Sequence, residues 1–466
     1  MIDLENIKHV HCIGIGGIGL SGLADILLCN GIKVSGSDMK EGDTTDKLIK
    51  KGANIYLGHR AKNIDSADLI VYSAAVSPDN PELKAAEEKE IPTISRAQLL
   101  GYMMKSKKFS VAIAGAHGKT TTTSMISLIL NNSQKDPTIL VGGNLQEIGG
   151  NVRVGHSEYF VTEACEYRDS FLELSPKYAV ILNIDSDHLD YFKGIEHIVQ
   201  SFETFAGLVP EDGAVIAYDA NPFVSSIIKD LDRRVITFGF HDDCNYRATD
   251  IEFDHGGCPK FTISHDKKEL CRIQMSVPGE YNLINALAAV ACCHEMDISM
   301  EDIKNTLEKF TGTQRRFDIQ GITTSGITVV DDYAHHPTEI KATLEAAKLI
   351  EHNNLWCLFQ PHTYTRTLAL HDDFAETLMI ADKIVMAEIY AARETNIHQI
   401  SSTSILDDIK SKDPFKDAYY FQTFEEIADF VLHNAKKGDL VITMGAGDIN
   451  KVGTMILDKD SEIFMK

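Results

Sequence analysis

The run Ser110-Val111-Ala112-Ile113-Ala114-Gly115-Ala116-His117-Gly118-Lys119-Thr120-Thr121-Thr122-Thr123 constrains this chain more than any other. Small and β-branched apolar residues lead into a glycine loop, and a Lys-Thr pair opens the segment that follows. A strand that passes through glycines straight into a helix belongs to a sheet layered with helices, because a crossover helix brings the chain back to lay the next strand parallel. The same turn aims backbone N–H groups and one ammonium at a common point. That arrangement holds nucleotide phosphates, with the Thr120 hydroxyl facing an accompanying Mg²⁺. In the ordinary phosphate loop the first glycine stands five residues before the second, here at Ile113; it stands instead at Gly115. The loop is therefore short.

A second glycine run, Gly14-Ile15-Gly16-Gly17-Ile18-Gly19, follows an apolar segment, and Asp38 lies about twenty positions on. This matches the dinucleotide fingerprint, in which a pyrophosphate sits on a helix N-terminus and a carboxylate accepts hydrogen bonds from the attached sugar. Both NAD and a UDP-sugar satisfy it.

The chain carries 45 basic and 68 acidic residues, a net charge of −23, which argues against a nucleic-acid partner. An anionic small molecule requires local cations or loop amides, so the few basic residues in polar loops become informative. Nine cysteines, an odd number without a Cys-x-x-Cys pair, read as reduced core residues rather than disulfides or a zinc site. Met1-Ile2-Asp3-Leu4-Glu5 lacks a basic, apolar leader, and no apolar run is long enough to span a bilayer. These features predict a cytoplasmic protein without membrane insertion, and a monomer or weak homodimer is expected.

Periodicity divides the chain into three α/β units. The first, 1–106, reads as a Rossmann-like fold with strands at Ile7–Ile13, Lys33–Ser37 and Leu69–Ser73. The second, 107–313, holds the phosphate loop, a glycine turn at Val141-Gly142-Gly143-Asn144, strands at Tyr159–Thr162 and Tyr178–Asn183, a more β-rich stretch, and an alanine-rich helix Asn282–His294. The third, 314–466, is again Rossmann-like, with strands at Ile327–Asp331, Leu355–Gln360, Ala381–Ile389 and Leu440–Met444. Hinges are expected near Lys105–Lys108 and Thr311–Gln314. Polar clusters follow several of these strands, where open α/β sheets bind ligands: Glu163, the run Asp185-Ser186-Asp187-His188, Asp331 to Pro337, and Gln360 to Thr367.

In order, these motifs resemble the Mur ligases, ATP-using enzymes that form amide bonds in peptidoglycan precursors, and the resemblance covers essentially the whole chain. It is most similar to members that join L-alanine to UDP-N-acetylmuramate. The resemblance implies that the first unit takes the UDP-sugar, the second takes ATP, and the third closes over them. Gly115, Ala116, His117, Gly118, Lys119, Thr120 and Thr121 would form the ATP loop, with Lys119 on the β- and γ-phosphates. Asn285 would meet adenine and Arg316 the phosphates, while Asp331 and His335 would meet the nucleotide on closure. Thr120, Glu163 and His188 would ligate Mg²⁺. Gly14, Gly16, Gly17, Ile18, Gly19, Asp38, Ser73, His188 and Arg366 would contact the UDP-sugar, with His362 and Arg366 meeting muramate and the alanine carboxylate. Members commonly carry Thr where Ala116 stands, and some carry Arg where Thr363 stands. No lysine lies between Gly194 and Val209, so the carbamylated lysine of other Mur ligases is not expected.

The implied chemistry activates a carboxylate as an acyl phosphate, which the amine of L-alanine then attacks, with His335 or His362 as its base. The residues alone leave three rivals open: a ligase that attaches a ready-made tripeptide to the same sugar, an NAD-dependent dehydrogenase, and a non-catalytic nucleotide-binding protein.

Overall fold

The structure is a computed structural model that describes residues 6–188 and 191–464; Met1–Glu5, the segment read for a leader, lies outside them. The chain forms two compact units. The first comprises the residues up to Ile184 together with Glu196–Phe238 and Ala288–Asp302; the second comprises Asp185–Ile195, Gly239–Leu287 and Ile303 onward.

The first unit opens with a five-stranded parallel sheet, β1 (His9–Ile13), β2 (Lys33–Asp38), β3 (Asn54–Leu57), β4 (Leu69–Tyr72) and β5 (Thr93–Ser95), in the order β3-β2-β1-β4-β5. Every residue of β1 is buried, as expected of a central strand covered by helices on both faces. The strand order reverses between β1 and β4, so the loops that follow them, Gly14–Gly19 and the turn at Ser73, flank the crevice where doubly wound sheets take ligands.

The same unit holds β6 (Phe109–Ala114), β7 (Thr138–Leu145), β8 (Gly150–Arg153), β9 (Tyr159–Glu163), β10 (Tyr178–Ile181), β11 (Ala214–Tyr218) and β12 (Val235–Gly239). They run β12-β11-β10-β6-β9-β7-β8, all parallel except β8. Because β6 lies between β9 and β10 in parallel register, Ala114, Glu163 and Ile181 reach one edge together. Val141–Asn144 is not the turn expected from its glycines but the interior of β7. The glycine lets the strand approach Glu163: a Cβ on Gly142 would fall 2.7 Å from a Glu163 carboxylate oxygen and displace it, and the partner oxygen accepts the Gly142 N–H.

The second unit contains the antiparallel strands β13 (Tyr246–Phe253), β14 (Pro259–His265) and β15 (Lys268–Gln274), the β-rich stretch expected from sequence. Its main sheet comprises β16 (Asp318–Ile322), β17 (Thr328–Asp332), β18 (Leu355–Phe359), β19 (Lys383–Met386), β20 (Asp417–Tyr420) and β21 (Leu440–Met444), ordered β16-β17-β21-β18-β19-β20. All pairings are parallel except that of the edge strand β16. Alternation divides its side chains between two cores. Val329, Trp356, Leu358 and Val441 pack with Ile427, Val452 and Ile456, while Val330, Cys357, Phe359 and Ile442 pack with Leu344, Phe374 and Ile405. Burial on both faces leaves only the strand ends for polar chemistry.

Candidate active site

At the end of β6, Gly115 (φ +146°) and Gly118 (φ +84°) adopt backbone angles that L side chains rarely take. Asn183, beyond β10, pins the loop: its Oδ1 accepts the His117 N–H at 2.8 Å and its Nδ2 donates to the His117 carbonyl at 3.0 Å. The helix Lys119–Asn132 then begins with no side-chain cap and no acidic residue in its first turn. Uncapped N–H groups with a positive helix end suit an anion such as phosphate. Thr120 and Thr121 lie in this first turn at 8% and 7% exposure, whereas Thr122 and Thr123 are fully buried. The first pair belongs to the loop, and the second to the core.

Lys119 folds back over the loop. Its ammonium donates to the Gly115 carbonyl, to the Ala116 carbonyl at 3.2 Å, and to both Glu166 oxygens at 3.0 and 3.1 Å. Burial alone would lower the lysine pKa, but the Glu166 charge, with Cys165 and Glu163 nearby, holds it above the usual range. Lys119 is therefore fully charged. Glu166 was not singled out from sequence, yet a signal was present: a buried ammonium requires a carboxylate, and Glu166 stands just past β9.

The other glycine loop is held differently. The Ser37 carbonyl accepts the Gly14 and Ile15 N–H groups at 2.8 and 3.1 Å, and Asp38 Oδ2 accepts the Gly16 N–H at 2.9 Å. A Cβ on Gly16 would lie 2.9 Å from that oxygen. The helix Ile18–Cys29 starts after Gly17 without a side-chain cap, Ile18 is 61% exposed, and a Cβ on Gly19 would meet the Arg96 side chain at 3.2 Å. Ser73 closes its own turn, its Oγ accepting the Ala75 N–H at 3.4 Å. No lysine or arginine donates to this loop among the hydrogen bonds of the described residues.

In the second unit, the segments after β17 and β18 bring three expected residues, His335, His362 and Arg366, into one neighbourhood. Arg366 donates from Nη2 to Asp187 at 2.7 Å and from Nη1 to His362 Nδ1 at 3.3 Å. A guanidinium only donates, so His362 Nδ1 is the acceptor and its proton sits on Nε2. Burial, with His335 and the Arg366 guanidinium close by, pushes the His362 pKa down to about 4, leaving the ring neutral. The ring stacks on Tyr390 at 5.6 Å and meets His335 edge-on at 5.9 Å. His335 Nδ1 faces two acceptors, the Tyr333 carbonyl at 3.0 Å and Glu339 at 3.2 Å. Nδ1 therefore carries hydrogen, and Nε2 is the nitrogen able to take a proton. Burial would raise Asp187, but Arg366, His188 and His335 hold its carboxyl well below the usual range. His188 adjoins it with φ +55°, and Thr363, at the start of the Arg366 helix, has φ +65°. Left-handed backbone at residues other than glycine concentrates at positions whose geometry the fold over-determines.

Arg316 lies over the Tyr333 ring at 5.1 Å and 3.9 Å from Glu339. Asp331 is 2% exposed and bound on both sides, accepting from Arg315 Nε at 2.9 Å and from the Thr443 hydroxyl at 2.7 Å; burial raises its pKa. Asn285, 4% exposed on the helix Glu280–Glu295, donates to Asn282 at 3.4 Å. Thr120 and Glu163 belong to the first unit and His188 to the second.

Residues 9–108, 113–293 and 315–447 match, respectively, the Mur ligase family catalytic domain, the Mur ligase middle domain and the Mur ligase glutamate ligase domain. The chain is 51% identical over 464 residues to a UDP-N-acetylmuramate–L-alanine ligase of Acetivibrio thermocellus, covering 99% of this chain and 98% of that one. Among solved structures, a UDP-N-acetylmuramate–alanine ligase of Thermotoga maritima superposes with a TM-score of 0.80 at 29% identity, over 98% of this chain and 100% of that one. A murein peptide ligase of Psychrobacter arcticus gives a TM-score of 0.71 at 25% identity, over 97% and 98%. Glycine loop, phosphate loop and histidine–arginine cluster thus fall within a match spanning nearly the full length, and the chain belongs to the Mur ligase family.

Proposed function

We propose that the protein is an ATP-dependent ligase joining L-alanine to the lactyl carboxylate of UDP-N-acetylmuramate, releasing ADP and phosphate, in peptidoglycan precursor synthesis. The observation that carries this reading is the 51% identity, across 99% of the chain, to a relative of that name. The division of labour follows the segments 1–106 for the UDP-sugar, 107–313 for ATP and 314–466 for the amino acid. The reading places the enzyme in the cytoplasm; no helix among the described residues is long and apolar enough to cross a membrane. A monomer or weak homodimer fits it.

A carboxylate resists attack by an amine because oxide is a poor leaving group. ATP supplies the activation, converting the carboxylate to an acyl phosphate. Lys119 and the uncapped first turn of its helix would neutralise charge gathering on the transferred group, and Arg316 would add to them. Mg²⁺ prefers hard oxygen ligands, and in the first unit the Thr120 hydroxyl and the Glu163 carboxylate are the donors of that kind that would hold it. Asn285 would hold adenine, and Asp331 would act through Arg315. Arg366, oriented by Asp187 and His362, would receive a substrate carboxylate as a fixed fork. With a pKa of about 4, His362 is a weak base near neutrality, so it would position Arg366. His335 is left to take the amine proton through Nε2.

The test supplies UDP-N-acetylmuramate and ATP with either L-alanine or the tripeptide used by the recycling ligases. Phosphate release and a new amide with L-alanine are expected. Turnover with the tripeptide alone would replace this reading with the peptide ligase, and NADH binding without response to ATP would replace it with the dehydrogenase.

A further inference from the structure

An ammonium has three N–H groups, and those of Lys119 face the Gly115 carbonyl, the Ala116 carbonyl and the Glu166 carboxylate. The protein thus saturates the cation on which the phosphate reading depends. Only 16% of the Lys119 side chain and 4% of the Glu166 side chain reach solvent, so water cannot readily replace either partner. A phosphate that is to bond Lys119 must displace one of the three acceptors. Two are backbone carbonyls fixed by the glycine turn and by Asn183. The third sits at the end of a side chain with rotatable bonds.

We propose that Glu166 is a latch on the phosphate-loop lysine: in the nucleotide-free protein it occupies the place on Lys119 that a nucleotide phosphate takes, and it yields when the phosphate arrives. The proposal rests on the reading of this loop as a nucleotide site.

The local backbone favours movement of the side chain alone. Glu163 ends β9 and Glu166 follows three residues later, just before Arg168 and Asp169 with φ of +53° and +54°. The Asp169 N–H returns to the Glu166 carbonyl at 2.9 Å, and the Asp169 carboxylate accepts the Ser201 hydroxyl. This turn anchors the Glu166 backbone, so its carboxylate swings while its Cα stays. The latch has two consequences. It gives the buried ammonium a counter-ion, and it sets the incoming anion against a resident one.

Calorimetric titration with ADP, with and without Mg²⁺, tests this on the intact chain of the wild type, Glu166→Gln and Glu166→Asp. Glu166→Gln keeps the shape but removes the competing charge, so ADP affinity without metal is expected to rise about tenfold, on the scale of a close charge pair. The nucleotide-free melting temperature should fall, because Lys119 loses its counter-ion, and the shift produced by ADP should grow. Glu166→Asp keeps the charge but retracts it, and should fall between the two. The same substitution on a Lys119→Ala background should leave ADP affinity unchanged. A lower melting temperature with unchanged or weaker ADP affinity would overturn the latch and leave Glu166 a structural counter-ion. Failure of the wild type to bind ADP would overturn the nucleotide reading, and the latch with it.

Discussion

The loops Gly14–Gly19 and Gly115–Thr120 both leave a buried parallel strand and open a helix that no side chain caps and whose first turn carries no acid. They part at the next level. The first spends one amide on Asp38 and has no ammonium among its hydrogen-bond partners in the described residues, so it offers a shaped surface and a carboxylate. The second carries Lys119, a cation held by Glu166 and two loop carbonyls. A loop that only docks a pyrophosphate meets the same charge before and after binding. One where a phosphoryl group changes hands needs a cation that can follow the developing charge.

Removing the cation should expose that contrast most. Lys119→Ala is expected to lower kcat by ~10² to 10³-fold or more while UDP-N-acetylmuramate affinity stays put, measured by phosphate release and calorimetry. A matching loss of sugar affinity would erase the distinction between the loops. Next in size, Arg366→Ala should cost ~10²-fold in kcat/KM for L-alanine, with Asp187→Asn costing about tenfold in the same direction, because it frees the guanidinium without deleting it. Gly16→Ala should act on the other loop: its Cβ meets Asp38 at 2.9 Å, so KM for the UDP-sugar should rise about tenfold while ADP affinity is unaltered.

A last effect concerns pH. His362 has a folded pKa of about 4 against an ordinary 6.5, so the folded protein binds this proton more weakly than the unfolded chain does. Its contribution to stability is present above pH 6.5 and is lost as pH falls toward 4. Urea midpoints of wild type and His362→Gln should therefore shift in favour of the variant between pH 7 and pH 4.5, and parallel curves would refute the neutral ring.

Both glycine loops were legible in the sequence because sterics dictate them: a strand that turns at once into a helix demands left-handed glycines at fixed spacing. The doubly wound sheets were legible for a related reason, since strands buried on both faces read as unbroken apolar runs. The partners of the charged groups were not. Glu166 meets Lys119 across 47 residues and Asp187 meets Arg366 across 179, and no local pattern encodes such a pairing. Asp331, expected to meet a nucleotide on closure, is buried against Arg315 and Thr443, partners 16 and 112 residues away that no local pattern announces. The glycines of β7 misled for the opposite reason. Gly142 lies against the Glu163 carboxylate within the strand rather than in a turn.

In the proposed reaction Lys119 serves phosphoryl transfer to a carboxylate rather than to water. Supplying UDP-N-acetylmuramate with heavy oxygen in its lactyl carboxylate, together with ATP and L-alanine in ordinary water, tests this directly by mass spectrometry of the released phosphate. One heavy oxygen per phosphate is predicted, carried over when the amine displaces the activated carboxylate. Phosphate free of label, its new oxygen drawn from solvent, would contradict transfer to the carboxylate.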